Sequence, residues 1–306
     1  MIKTPQKIML TYNTVFQATR PKFLLLAPIC VGLGAAYAGA KGFEVDNTIL
    51  ALCVIISLLS HASVNLLNEY QDAKSGLDNT TTKTPFSGGS GALQKNPSAL
   101  NAVFWSGIVC CVAFSVLGVW LASMLNWQLV LFGLIGLVVI VSYTPWLNKT
   151  SWLCLISPGT GFGLLFVIGT YAVFAESITP TDVAIALPVF FLVNNLLLLN
   201  QFPDVTADRD NGRNHFVIRY GYSKSAIIYI VSACLAFLAI ALLVHYRTLP
   251  FWSLSALLFF PVALAIGFKA MKFEQAALQT FLPLMGLNVM VTLLTPSVLA
   301  LSLIIA

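Results

Sequence analysis

Between two apolar stretches the chain reads NLLNEYQDAKSGLDNTTTKTPFSGGSGAL, from Asn65 to Leu93. On a helix Asn65, Asn68 and Asp72 stand at i, i+3 and i+7, one face by the 3.6-residue period. Gly76 ends the helical run, and Asp78, two residues on, can turn back towards the same point. A second cluster, NQFPDVTADRDNGRNHFVIR from Asn200 to Arg219, spaces Asn200, Asp204 and Asp208 by four. Pro203 restarts the helix inside that run, Arg209 and Arg213 follow at the same spacing, and Asp210 falls off the face. Hard oxygen donors suit Mg²⁺, which keeps several waters and is held by one or two carboxylates plus substrate phosphates. Arg favours bidentate phosphate contact, and Lys74 and Lys83 are available to phosphate oxygens. The expected chemistry is metal-assisted handling of a diphosphate. One such cluster at a helix end is ordinarily a satisfied polar cap; two, each flanked by cations, point to a shared site.

The elements that must position these residues are membrane helices. Of 306 residues, 58% are hydrophobic and 9% charged, against about 25% charged in an average soluble domain. A bilayer core about 30 Å thick takes roughly 20 apolar residues per helix. Spans are expected near 23–40, 48–68, 99–122, 128–146, 153–174, 182–200, 225–244, 251–268 and 279–303, giving an all-α bundle of nine helices in a single domain, residues 1–306. Only Ser123 to Trp127 separates the third from the fourth. Residues 1–22, with Lys3, Lys7, Arg20 and Lys22, read as an amphipathic interfacial segment rather than a cleaved leader. With the N-terminus cytoplasmic and the C-terminus external, every Lys and Arg except Lys41 and Arg247 falls on the cytoplasmic side, as the positive-inside rule requires. Both polar clusters then share that side. The net charge of +5 is explained by topology, anionic headgroups or an anionic substrate, without nucleic acid.

Further polar residues interrupt the apolar stretches. Tyr143-Thr144-Pro145-Trp146-Leu147-Asn148-Lys149 closes the fourth span on the same side, where an interfacial aromatic with a snorkelling lysine competes with a role in the chamber. His61 precedes Asn65 by one turn and is expected to pack, hydrogen-bonded, in the bundle. Asn194 and Asn195 are costly in lipid unless they face the interior, and one of them is expected to line the site. Asn288 is expected to bond between helices, and His215 to be a loop residue. Cys30, Cys53, Cys110, Cys111, Cys154 and Cys234 show no C-x-x-C spacing and read as apolar packing residues.

NEYQDAKSGLD and DVTADRDNGR resemble the two Asp-rich motifs of the UbiA superfamily of intramembrane prenyltransferases, and the resemblance extends over nearly the whole chain. Within it they look most like the 1,4-dihydroxy-2-naphthoate branch of menaquinone synthesis. The resemblance implies nine helices around a cytoplasm-facing chamber in a bacterial cytoplasmic membrane. It implies Mg²⁺ held by Asn68, Asp72, Asp78, Asp204 and Asp208, with Asp72, Asp208 and Tyr143 catalytic. Lys74, Lys149, Arg209 and Arg213 would meet the diphosphate, and Asn65, Asn195 and Asn200 would line the acceptor chamber. The implied partners are a polyprenyl diphosphate, an aromatic acceptor and the bilayer; the oligomeric state is not legible. The chain departs from the family in three places. Gly76 stands where the broad pattern has a third carboxylate, with Asp78 as substitute; Thr84-Pro85 and Gly88-Gly89-Ser90-Gly91 replace an Arg-Pro element; Gln201 and Pro203 break an Asn-rich lead-in. Prenyltransfer to a hydroxybenzoate, a homogentisate-like phenol or a lipid precursor is the runner-up. A secondary transporter should instead carry its carboxylates at mid-helix in broken or repeated spans.

Overall fold

A computed structural model describes residues 4–274 and 278–306; Lys3 of the cationic head lies outside the described residues. Among these, every regular element is helical. Helix α1 (Thr4–Ala18) buries Thr14 and Ala18 and leaves Met9, Tyr12 and Phe16 outward. Among the described residues, eight helices are long and apolar enough to cross a membrane: α2 (Pro21–Ala40), α3 (Asn47–Ser75), α4 (Pro97–Met124), α6 (Ser151–Phe174), α7 (Pro180–Asn200), α8 (Phe216–His245), α9 (Phe251–Ala270) and α10 (Leu278–Ile305). The fourth expected span, near 128–146, is the shorter helix α5 (Leu129–Tyr143), of 15 residues.

Two helices run well past the apolar stretches that revealed them. Helix α3 continues to Ser75 and closes on Gly76 at φ 83°, a left-handed conformation that suits glycine. The extension carries Glu69 and Asp72 on the same rigid helix as Asn65 and Asn68, while Asp78 lies beyond Gly76 in a short helix, Leu77–Thr80. Helix α8 begins at Phe216 rather than near 225, with a break at Gly221.

Consecutive helices pack side by side from α2 round to α10, and α10 returns onto α2, closing a ring. The closure is tight where small residues meet. A Cβ on Gly34 of α2 would stand 2.3 Å from the Val167 carbonyl of α6, and one on Gly159 would stand 2.3 Å from the Phe190 carbonyl of α7. Small residues allow such backbone approach where no hydrophobic effect drives helices together in lipid. Polar side chains add interhelical bonds: Tyr229 of α8 donates to Asn288 Oδ1 of α10 at 2.8 Å, and Asn195 of α7 donates to the Tyr229 carbonyl at 2.9 Å. Helix α6 is a π-helix from Thr160 to Ile168, just after Pro158, which lacks an N–H and widens the ladder.

Candidate active site

At one end of the ring the two polar clusters meet. On α3, Asn68 Nδ2 donates to Asp72 Oδ2 at 2.8 Å, and Asn68 Oδ1 accepts from the Thr144 hydroxyl at 3.0 Å. After Asn200 ends α7, a turn leads to a short helix, Val205–Asp210. Gly212 at φ 77° then reverses the chain and brings Arg213 back over Asp208. Its guanidinium donates to Asp208 Oδ1 at 2.8 Å and also pairs with Asp72 Oδ1. Burial disfavours this charge, but Asp72 and then Asp208 outweigh it and hold the Arg213 pKa above its usual value. His215 accepts the Ile218 N–H on Nδ1 at 3.4 Å, so Nε2 carries the proton that it shares with Asp208 Oδ2 at 2.9 Å.

The loop after the first cluster folds over this junction. Gly88 N–H donates to Asp204 Oδ2 at 3.1 Å, and Ser90 donates its N–H and hydroxyl to Glu69, each at 2.7 Å. A Cβ on Gly89 would stand 2.8 Å from Asp78 Oδ1, so only glycine lets the loop lie this close. Glu69 also binds Arg20, whose Nε and Nη2 reach Oε1 at 2.9 and 2.7 Å. Arg20 takes a left-handed φ of 53° between α1 and α2, a strained position for a side-chain-bearing residue. The Asn65 amide fixes the same corner by donating to the Thr19 carbonyl at 2.9 Å. Neither Arg20 nor Glu69 was expected in the site; the one sequence signal was that Glu69 stands within the first polar cluster, between Asn68 and Asp72.

Behind the polar mouth a chamber of about 290 Å³ descends between α3, α5, α6 and α7. Asn65, Asn68, Asp72, Asp78, Asp204 and Asp208 all line it, as do Asn200, Arg213 and Tyr143. Deeper, the wall turns apolar with Ile140, Phe162, Leu165 and Leu196, and its polar members include Ser60, His61 and Ser157. The His61 Nδ1 is buried with no hydrogen-bond partner, against the expectation of a bonded packing histidine.

Do these residues suit a divalent cation? Among the described residues no group of three His, Cys, Asp or Glu side chains could hold a metal alone. The donor set nevertheless fits Mg²⁺ shared with a phosphate, because the mouth offers four carboxylates and an amide oxygen. One of these donors, Asp78 Oδ2, is buried and has no partner. Burial, then Asp208, raises Asp204 to about 7. Burial, then Glu69 and Asp72, raises Asp78 to about 6. Carboxylates crowded in this way favour a neutralising cation.

A family model described as the UbiA prenyltransferase family matches residues 25–288. The chain belongs to this family. It is therefore an integral membrane enzyme of the prenyl-transferring class. The UbiA match is supported by relatives named 1,4-dihydroxy-2-naphthoate octaprenyltransferase. That of Bacillus subtilis (strain 168) is 24% identical over 233 residues, 73% of this chain and 71% of the relative. That of Haemophilus influenzae is 27% identical over 240 residues, 74% and 76% of the two chains. The fold is also that of solved UbiA homologues. One from Aeropyrum pernix K1, in its apo form, has a TM-score of 0.70 at 15% identity, over 93% of this chain and 98% of that one. One from Archaeoglobus fulgidus, bound to DMAPP and Mg²⁺, has a TM-score of 0.63 at 12% identity, over 96% and 99%.

Four residues expected at the UbiA site lie elsewhere. Lys74 is exposed, with Nζ 5.6 Å from the centre of the Tyr70 ring, because two residues beyond Asp72 is the opposite side of a helix. Arg209 is exposed, since the reversal at Gly212 takes Arg213 inward without it. Lys149 is exposed at the end of a 3₁₀ turn, Leu147–Lys149, while its neighbour Asn148 is buried and lines the chamber. Asn195 is a correction of placement: five residues before Asn200 turns its amide to the α8 backbone. Asn194 likewise bonds away, accepting the Gly159 N–H at 2.7 Å.

Proposed function

We propose that this enzyme transfers a polyprenyl group from an allylic polyprenyl diphosphate to an aromatic acceptor, with 1,4-dihydroxy-2-naphthoate, the menaquinone precursor, as the leading acceptor. The observation that carries the reading is the meeting of the two motifs, Asp72 and Asp208 on one Arg213, above a chamber that becomes apolar with depth. The acceptor rests on the names of the curated relatives, and the need for Mg²⁺ on the donor set and on the Archaeoglobus structures.

Asn68, Asp72, Asp78, Asp204 and Asp208 would hold Mg²⁺, which when bound neutralises charge developing on the leaving diphosphate. Arg213 adds a fixed positive charge at the same place. Heterolysis of the allylic C–O bond gives its electron pair to the diphosphate and leaves a delocalised carbocation. The electron-rich ring carbon of the acceptor supplies the pair for the new C–C bond, and the ring regains aromaticity by losing a proton or, for the naphthoate, its carboxylate as CO₂. Ile140, Phe162 and Leu196 exclude the water that would otherwise capture the cation. Asn65, Asn200 and Tyr143 bound the space where the acceptor must approach. The polar mouth faces the cytoplasm in this reading, with α1 along the membrane surface and the C-terminus outside.

The deciding assay offers purified protein Mg²⁺, a labelled polyprenyl diphosphate and a panel of aromatic acceptors, beside Asp72→Ala and Asp204→Ala. A prenylated naphthoquinol that needs Mg²⁺ and is lost in both variants supports the proposal. Prenylation of another phenol replaces the acceptor. No product with any acceptor and no donor binding sinks the reading.

A further inference from the structure

His61 lines the chamber one helical turn deeper than Asn65 and is 8% exposed. Its ring stands edge-on to Phe162 of α6, with 4.8 Å between centres and 81° between planes. Neither ring nitrogen bonds to a described residue: Nδ1 is enclosed without a partner, and Nε2 is the one left open in the chamber. The polar side chains around it are already committed. Ser57 and Ser60 give their hydroxyl protons to the carbonyls of Val54 and Ser57 at 2.8 and 3.0 Å, and Ser157 gives its own to the Leu153 carbonyl. Asn65 turns its amide to the Thr19 carbonyl, and Asn68 binds Asp72. A buried polar group without a partner is an exception in folded proteins, and here the open side is the space that takes a ligand.

Distance and charge together narrow what the imidazole can meet. From Asp72 to His61 is eleven residues, about 16 Å of helix rise. A Mg–oxygen contact takes about 2 Å of this, a near-attack approach about 3 Å and a hydrogen bond about 2.8 Å. Roughly 8 Å remains, the length of a C–O–P linkage and an aromatic ring with its hydroxyl, built from bonds of about 1.5 Å. A neutral imidazole has one N–H and one lone pair, whereas a hydroxyl both donates and accepts. Nε2 therefore pairs with a hydroxyl in either tautomer. A carboxylate at this depth would be a buried charge, because the cations lining the chamber, Arg20, Lys22 and Arg213, belong to its mouth.

We propose that His61 holds the aromatic acceptor by one hydrogen bond between its Nε2 and a neutral ring hydroxyl, and so selects acceptors with a hydroxyl on the side away from the diphosphate. The inference rests on the prenyltransfer reading. Phe162 fixes the plane of the imidazole, which makes the bond directional, and the bond sets the ring against the allylic carbon. No proton need leave the hydroxyl. An acceptor without that group leaves the ring nitrogen unpaired in an apolar wall, the condition under which a site built for a hydroxyl rejects its analogue.

The test compares equilibrium binding of 1,4-dihydroxynaphthalene, kept reduced, with that of 1,4-dimethoxynaphthalene on the full chain in detergent. His61→Leu is expected to lower the preference for the diol over the diether by about tenfold, the scale of one lost hydrogen bond, and to bind the diether as wild type does. His61→Gln, which keeps a donor and an acceptor, stays within about threefold of wild type. In turnover, His61→Leu raises KM for the acceptor and leaves KM for the donor unchanged. An unchanged preference in a His61→Leu protein that melts like wild type overturns the proposal. Equal losses for diol and diether make His61 a packing residue and also overturn it. Should His61→Leu not fold, a photoreactive azidonaphthol is used on the wild type: labelling within residues 57–65 supports the site, and labelling confined to other segments overturns it. If the wild type transfers no prenyl group to any acceptor, the function fails, and the binding comparison still decides whether His61 holds a hydroxyl.

Discussion

Arg213 reaches Asp72 across 141 residues of sequence and also holds Asp208, donating to one carboxylate from the first motif and one from the second. Both carboxylates are buried, and the Arg213 side chain is 19% exposed. Removing one partner of such a buried cluster leaves uncompensated charge, at a cost of about 3–5 kcal/mol. Arg213→Met should therefore lower the melting temperature of the metal-free protein sharply, and added Mg²⁺ should recover more stability than in wild type. A variant that melts normally without metal would show that the two motifs do not depend on this cation.

Asp204, at about 7, and Asp78, at about 6, lie above the roughly 3.9 of an unfolded carboxyl. Between those values the folded protein holds protons that the unfolded chain has released, so the metal-free fold loses stability as pH rises from about 4 to 7. Metal binding requires bare carboxylates. Stabilisation by Mg²⁺ should thus be small near about pH 5.5 and grow to about pH 8. Melting curves with and without Mg²⁺ at the two pH values check the trend, and a pH-independent shift contradicts it.

Glu69 is fully buried and accepts from Arg20 and Ser90 together. Glu69→Ala should free the loop at its Ser90 end and leave the half-buried Arg20 without its partner. Hydrogen exchange at the Ser90 amide should accelerate by at least about tenfold, consistent with loss of one charge-assisted bond. Continued protection of that amide would mean that the Gly88 bond to Asp204 holds the loop alone.

Asn195 and Asn288 close a hydrogen-bonded circuit with Tyr229 inside the ring. Asn195→Leu should cost stability of about 0.6–2 kcal/mol, the range for interhelical hydrogen bonds in membranes, and leave KM for donor and acceptor nearly unchanged. A large KM change would return this residue to the chamber wall.

Lys74, Lys149 and Arg209 are exposed and outside the chamber. Replacing each by Ala should change kcat/KM for the donor by less than about threefold, whereas Asp208→Asn should cost about a hundredfold or more, the scale of lost transition-state electrostatics. Comparable losses at all four positions would place the exposed cations on the bound diphosphate.

What the sequence disclosed depends on whether a property is periodic. Apolar stretches and carboxylates at four-residue spacing announce membrane helices with one polar face, and the structure brings Asn65, Asn68, Asp72, Asn200, Asp204 and Asp208 around one chamber. The same periodicity, applied to azimuth, would have removed Lys74 and Asn195, each nearer the far side of its helix than the residue it was grouped with. Arg209 and Arg213 share a spacing but not a helix, because Gly212 reverses the chain between them. The Arg20–Glu69 pair bridges 49 positions, and no local pattern encodes a contact between a strained corner and a helix face.

Helix α5 has 15 residues and rises about 22 Å, against a hydrocarbon core of about 30 Å. A hydrophobic length this short is met by thinning the surrounding bilayer or by drawing flanking residues inward. Helix α5 forms a wall of the chamber, so the mismatch falls beside the space proposed to take the substrate. Thickening the bilayer stretches this wall and no other to the same degree. Acyl-chain length in the host membrane thereby becomes a mechanical input to the enzyme, and reconstitution in progressively thicker bilayers should slow it well before the longer helices are strained.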